Sequence, residues 1–244
     1  MKPILKPKLL PIITLLFSIA GFLLRFWLYR TGIDHKGLVV ASHPACTLSF
    51  ILLAVYLGLL LLEIRLLGAV DHYRDQFPAS FVPAIGCFAA AAGLLICQLR
   101  TPATDFLGYV LFAMAFVAAG CLVALAICRI KGKRPYFLFH VGVTVYLMLH
   151  LFAQFRIWGA EPELQRIFFP LLAGIFLMLN GYYSSVLDAK KAGRRWFVFA
   201  NQAAVLCCCM SMAESGWLFY LTMALWCFLG LCSLHPDVPK QEDA

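Results

Sequence analysis

Residues 106–128 read FLGYVLFAMAFVAAGCLVALAIC, an apolar stretch of 23 residues that contains no charged side chain. A helix rises about 1.5 Å per residue, so a stretch of this length reaches across the roughly 30 Å of hydrocarbon in a bilayer. It lacks the strict alternation of apolar and polar residues that is typical of a transmembrane barrel strand. The stretch therefore predicts a transmembrane helix.

Similar apolar runs occupy most of the remaining chain. Hydrophobic residues make up 63% of the 244 residues and charged residues only 13%, with a mean hydropathy of +0.86. A soluble globular protein normally carries about a quarter of charged residues, so lipid is the expected solvent. The sequence predicts an all-α polytopic membrane helical bundle, a single integral membrane domain over 1–244. Its eight transmembrane helices are predicted at 9–29, 45–67, 81–99, 106–128, 136–155, 167–187, 196–212 and 216–234.

The distribution of Lys and Arg predicts the orientation, because cytoplasmic loops carry the excess of basic residues. With eight helices, one side of the membrane receives 14 of the 20 basic residues: Lys2, Lys6, Lys8, Arg65, Arg74, Arg129, Lys131, Lys133, Arg134, Lys190, Lys191, Arg194, Arg195 and Lys240. Both termini are therefore expected in the cytoplasm. This asymmetry accounts for the net charge of +8 and needs no nucleic-acid partner.

The first apolar run follows Lys2, Lys6 and Lys8, as in a secretory signal peptide. Its apolar part continues through Phe26 and Trp27, which exceeds the usual length of about 7–15 residues for a signal h-region. We therefore expect an uncleaved first helix; the alternative, cleavage, leaves seven helices.

Small residues predict where helices pack closely, because they let neighbouring backbones approach each other. Gly86, Ala89, Ala90 and Gly93 form such a face on the third predicted helix. Gly120 and Ala124 repeat the pattern on the fourth helix. Both helices are therefore expected in the interior of the bundle.

Polar side chains inside the membrane are the candidates for function, because each is costly to place in lipid. The first group lies in the cytoplasmic half and consists of His140, Asn180, Tyr183, Ser184, Asn201 and Gln202, which are at matching depths on three successive helices. They predict a ligand-binding site in which His140, Asn180 and Asn201 form one contact network. The alternative is a hydrogen-bonded clamp between helices without a ligand.

The second group is a polar stripe near the outer surface. Tyr146, His150 and Gln154 are spaced by four residues and so share one face of the fifth helix. The outer loops bring Asp34, His35 and His43 to a similar depth. Such side chains could bind the polar part of a ligand or a cation, but most membrane-interface histidines bind no metal and we expect none here.

Motifs for catalysis are missing from the sequence. It contains no H-E-x-x-H, no G-x-S-x-G and no phosphate-binding glycine loop, so an enzyme is less expected and no cofactor is predicted. The ten cysteines show no C-x-x-C spacing, and nearly all lie in the apolar runs, where a thiol behaves as a small hydrophobic group.

Three classes of function remain: a small permease or membrane substrate-binding component, a non-catalytic accessory or sensory subunit of a membrane complex, and a lipid-modifying enzyme. The expected partners are the bilayer, a small-molecule ligand or another membrane protein, and the expected location is the cell (cytoplasmic) membrane.

Overall fold

The structure is a computed structural model that describes residues 9–34, 38–40, 42–66, 80–101, 105–159, 164–189, 194–214 and 216–234. Within these ranges the chain forms eight helices: α1 (Leu9–Thr31), α2 (Pro44–Leu66), α3 (Phe81–Arg100), α4 (Phe106–Ile130), α5 (Phe137–Trp158), α6 (Leu164–Asp188), α7 (Arg194–Ser211) and α8 (Trp217–Cys232). Each helix begins and ends within about three residues of its predicted segment. The all-α polytopic architecture is confirmed.

Six of these helices, α1 to α6, are long and apolar enough to cross a membrane. Helix α8 is apolar but has only 16 residues, about 24 Å at the usual helical rise. Helix α7 is the most polar and contains Arg194, Arg195, Asn201 and Gln202. Six candidate spans and one shorter apolar helix are therefore shown, and a complete set of eight spans remains a prediction.

Helices α3 to α8 form a closed ring. Each contacts the next in chain order, and α8 returns to pack against α3. Each connection joins the C-terminal end of one helix to the nearby N-terminal end of the next, so successive helices run in opposite directions. The odd-numbered helices of the ring therefore all end at one face. We call this the outer face and the opposite one the inner face, following the predicted orientation.

Helices α1 and α2 lie outside the ring against α7. Helix α1 packs on α7 and on α2, and α2 also touches α7. As a result α7 is covered by α1, α2, α6 and α8, and most of its side chains are buried in protein. This position explains why α7 tolerates amides and a triplet of cysteines, of which Cys207 and Cys208 are fully buried thiols.

The small face predicted on α3 packs directly on α8. A Cβ atom on Gly93 would lie 2.2 Å from Oγ1 of Thr222, and one on Gly86 would lie 3.1 Å from Cα of Trp226. The corresponding expectation for α4 is wrong at Gly120, which is exposed and has no heavy atom within 4 Å of an added Cβ. Alanines form the buried face of α4 instead, including Ala115, Ala118 and Ala126.

Candidate binding site

The outer polar stripe faces a cleft of about 700 Å³ at the outer end of the ring. Tyr146, His150 and Gln154 all line it, since their spacing of four residues places them on one face of α5. Helices α3, α4 and α8 supply the other walls. Because α5 and α8 are not adjacent in the ring, a cleft that both helices line lies inside it. Its volume is within the range of about 300–1,000 Å³ that is usual for small-molecule sites.

Aromatic rings form the deep wall of this cleft. The ring of His150 lies 5.9 Å from that of Tyr146 in a stacked arrangement and 4.5 Å from that of Phe219, measured between centroids. Phe219 also meets Tyr220 edge-on at 5.3 Å. Phe219 reaches this position because α8 begins directly after Gly216, whose φ of +86° is accessible to glycine at little cost.

Polar side chains line the cleft beside these rings. Gln98 on α3 and Gln154 on α5 are half-buried, as is His150. In the part of the chain that the structure describes, none of these three side chains makes a hydrogen bond to protein. Their donors and acceptors are therefore available to water or to a bound molecule.

An exposed ion pair marks the rim of the cleft. Asp105 caps the N-terminus of α4 by accepting a hydrogen bond of 2.9 Å from the Gly108 amide. It also pairs with Arg156 of α5 at 2.9 Å. The Gly108 amide and the Arg156 guanidinium together hold the pKa of the Asp105 carboxyl below its usual range. Arg100 lies at the same rim and leaves it with a net positive charge.

A second, smaller cavity of about 30 Å³ lies at the inner end of the ring, and all six ring helices line it. His140, Asn180 and Ser184 meet there, so the structure brings together these three predicted residues. Asn180 donates a hydrogen bond of 3.3 Å to the Cys227 thiol, while its carbonyl oxygen has no hydrogen-bond partner among the described residues. The cavity is large enough to admit water.

The other predicted residues of the inner group lie outside this cavity. Asn201 faces Gly230 of α8, where an added Cβ would lie 3.6 Å from its amide nitrogen. Gln202, the next residue on α7, points toward α2 and faces the Glu63 carboxyl. Tyr183 stacks on Trp196 at 6.3 Å. Successive residues on a helix point about 100° apart, which is why depth alone could not group these side chains.

Neither Asp34 nor His43 lines the cleft. His43 lies 3.2 Å from Oγ1 of Thr31 and meets Trp27 edge-on at the junction of α1 and α2. His35 falls outside the described residues. Within the described ranges, no three His, Cys, Asp or Glu side chains are grouped closely enough to hold a metal ion.

A buried charged cluster escaped the sequence analysis. Arg25 on α1 is 1% exposed and pairs with Glu214 in the turn between α7 and α8. It also donates a hydrogen bond of 2.8 Å to the Tyr29 hydroxyl, which donates in turn to Glu214. The guanidinium lies 4.7 Å from the centroid of the Phe169 ring on α6. The available signal was a single Arg inside an otherwise apolar run, four residues before a Tyr.

No family model matches this chain, and neither a curated protein nor a solved structure is detectably similar to it. The two cavities and the side chains that line them are therefore the features that bear on function.

Proposed function

We propose that this multi-pass membrane protein is a small permease or membrane substrate-binding component that takes a small, uncharged or weakly polar molecule into its outer cleft. The observation that carries the proposal is the pair of cavities at opposite ends of one helix ring. Apart from Arg129 in the inner cavity and the charged rim of the outer cleft, the polar side chains that line the two cavities carry amides, hydroxyls, imidazoles or thiols, which suit a neutral solute better than an ion.

The interval between the two cavities contains fully buried side chains. Along α3, α4 and α8, the fully buried Leu94, Leu122 and Met223 lie between the residues that line the outer cleft and those that line the inner cavity. On α5, Val143 occupies the same interval between His140 and Tyr146. This arrangement suits a state that is open to the outside and closed to the inside, as alternating access requires.

A thiol in the cleft allows a direct test. Cys97 lines the outer cleft, whereas Cys207 is fully buried. In vesicles that carry a variant with Cys97 as its single cysteine, a membrane-impermeant maleimide added outside is expected to label it. A bound solute should slow that labelling, and a matched variant with Cys207 as its single cysteine should stay unlabelled. Absence of outside labelling at Cys97 would contradict the open outer cleft.

Flux measurements separate a permease from a binding component. Reconstituted vesicles are expected to take up small neutral solutes faster than protein-free vesicles, without dependence on Na⁺. Strict preference for a multivalent ion would contradict the proposal. Copurification of a stable membrane-protein partner, without any solute effect, would favour an accessory or sensory subunit instead, and a lipid product would favour a lipid-modifying enzyme.

We place the protein in the cell membrane, and fractionation of its native cells tests that placement.

A further inference from the structure

A buried carboxyl lies at the contact of α2 with α7, outside the ring. Glu63 is 7% exposed and lies three residues before the inner end of α2, about 4.5 Å along the helix axis. Unlike Glu214, which pairs with Arg25, Glu63 forms no ion pair with a described residue. An ionised carboxylate at this position would lose its hydration without gaining a counter-charge.

The other polar side chains on this face of α2 have partners in the protein. Ser49, Tyr56 and Glu63 recur every seven residues, about two helical turns, so they share one face. Ser49 donates a hydrogen bond of 2.7 Å to the Ala45 carbonyl, and Tyr56 donates one of 3.1 Å to the Thr14 hydroxyl on α1. Glu63 is the exception, because its Oε2 atom has no hydrogen-bond partner among the described residues.

An amide of α7 faces this carboxyl. Helices α1 and α7 are the main neighbours of α2, and Gln202 of α7 is 1% exposed and directed at Glu63. In the part of the chain that the structure describes, neither amide atom of Gln202 has a hydrogen-bond partner. Tyr56, on the same helix as Glu63, is the titratable side chain that faces it, and no charged side chain of the described ranges does so.

The protonated form of Glu63 matches both groups of the Gln202 amide. A protonated carboxyl donates one hydrogen bond and accepts another, and a primary amide does the same. The carboxyl hydroxyl can therefore donate to the amide oxygen while the amide nitrogen donates to the carboxyl oxygen. The ionised form only accepts, so it leaves the amide oxygen without a donor.

A divalent metal ion fits these groups less well than a proton. Calcium takes about six to eight oxygen ligands, and magnesium takes about six. Here the unpartnered oxygens come from only two side chains, Glu63 and Gln202, and no three His, Cys, Asp or Glu side chains of the described residues are grouped closely enough to hold a metal. A proton on the carboxyl needs one acceptor, which the Gln202 oxygen supplies.

From these observations we infer that Glu63 and Gln202 form a proton-binding site between α2 and α7, which exchanges its proton with the solution at the inner face. The bound proton lets the two helices pack together without a buried charge. When the proton leaves, the carboxylate needs water or a cation, and the contact of α2 with α7 weakens. The site lies outside the ring, so it does not depend on the solute proposed for the outer cleft.

Infrared difference spectra of the full chain in lipid nanodiscs test the protonation of Glu63. Subtracting the spectrum of Glu63→Gln from that of the parent at pH 7 should leave the carbonyl band of a carboxylic acid, unchanged when choline replaces Na⁺. Asp105→Asn is the matched control, because this exposed carboxyl pairs with Arg156 and should leave carboxylate bands. Carboxylate bands for Glu63, with or without a dependence on Na⁺, would overturn the inference.

A variant of the amide connects the proton to its acceptor. Gln202→Leu keeps a similar volume and removes the hydrogen-bonding groups, so the carbonyl band of Glu63 should move to higher frequency. Asn201→Leu is the control, since this neighbouring amide faces Gly230 of α8 and should leave the band in place. The melting temperature of each variant confirms that it is folded. A band that Gln202→Leu does not move would show that the site lacks its proposed partner.

Thermal unfolding gives an independent measurement. A folded chain that keeps a proton which the unfolded chain releases above about pH 4.3 becomes less stable as the pH rises. Glu63→Gln removes the titrating group, so its melting temperature relative to the parent should increase from pH 5 to pH 8. A difference that is constant or decreases over this range would contradict proton binding at Glu63.

Discussion

Arg25 and Glu214 hold α1 to the turn between α7 and α8 through a buried ion pair. Removing one member leaves the other charge buried without a partner, which typically costs about 3–5 kcal/mol. We therefore expect Arg25→Met to lower the melting temperature of the purified protein strongly, and the double variant Arg25→Met, Glu214→Gln to recover part of the loss. A double variant that is less stable than the single one would contradict this account.

The exposed pair of Asp105 and Arg156 is the matched control. Its side chains are 49% and 64% exposed, so solvent screens their attraction. Arg156→Met should accordingly leave the melting temperature nearly unchanged. A loss as large as that of Arg25→Met would show that burial does not set the strength of these ion pairs.

The loss of stability caused by Arg25→Met should also depend on pH. Burial raises the pKa of the Glu214 carboxyl, while Tyr29 and Arg25 act to lower it. Without Arg25 the folded-state pKa rises further above the unfolded value, so the folded protein binds a proton more readily than the unfolded chain does. Stability is then greatest below the unfolded pKa, about 4.3 for Glu, and is lost as the pH rises through the folded pKa. The variant should be closer to the parent at pH 5 than at pH 8 in thermal unfolding.

His140 and Asn180 share the inner cavity, and a double-mutant cycle can measure their interaction. Coupling of about 0.6 kcal/mol, and at most about 1.7 kcal/mol, is typical between polar side chains of membrane helices. We expect a value in that range for His140→Ala with Asn180→Ala, measured by thermal unfolding. Asn201→Ala provides the comparison: its depth predicts that it belongs to the same network, whereas its position against Gly230 favours weaker coupling. Zero coupling between His140 and Asn180 would argue against a shared site.

At the scale of elements, the contact of α3 with α8 depends on the absence of a side chain at Gly93. An added Cβ would lie 2.2 Å from Oγ1 and 2.6 Å from Cβ of Thr222, and rotating the Thr side chain cannot relieve the second contact. Overpacking of this kind costs about 1–3 kcal/mol. Gly93→Ala should therefore lower the melting temperature.

Gly120 on α4 supplies the control for that prediction. It is exposed, and an added Cβ meets no heavy atom within 4 Å. Ala favours a helix over Gly by up to about 1 kcal/mol, so Gly120→Ala should be neutral or slightly stabilising. Equal losses for the two variants would indicate an effect of the backbone rather than of the helix contact.

The same two glycines show how far the sequence alone could predict the structure. The length of apolar runs predicted every helix, because bilayer thickness restricts a spanning segment to a narrow range of lengths. The spacing of small residues predicted packing surfaces equally for Gly93 and Gly120, yet only the arrangement of the ring decides which face meets a neighbour.

For the candidate site, the stripe of Tyr146, His150 and Gln154 was predictable because it lies on one helix. Phe219 and Gln98 were not, because their helices meet α5 only across the ring.

Across the whole molecule, hydropathy and burial separate the helices into two kinds. Helices α1 and α2 have one buried face, and their remaining surface carries large exposed apolar residues such as Leu16, Leu23, Ile51 and Leu62. Helix α7 reverses this pattern, since Asn201 and Gln202 are almost fully buried and most of its other side chains touch protein. A helix that meets mainly protein does not need a lipid-compatible surface. The lower hydropathy of α7 is therefore compatible with a position at the centre of the bundle in which the helix crosses the membrane.

If α7 and α8 cross the membrane as α1 to α6 do, each loop lies on a defined side of the membrane. The topology is therefore testable. Reporter fusions at Lys133, at Arg194 and after the C-terminus should all read cytoplasmic, whereas a fusion at Pro162 should read outside. The physical reason is the excess of Lys and Arg on one side of the eight-helix arrangement. Pro162 and the C-terminus lie outside the described residues, so these two fusions test the basic asymmetry alone. A C-terminus on the opposite side from Arg194 would mean that α7 and α8 do not both cross. Matching signals at Lys133 and Pro162 would remove α5 from the set of spans, and with it the ring that encloses both cavities.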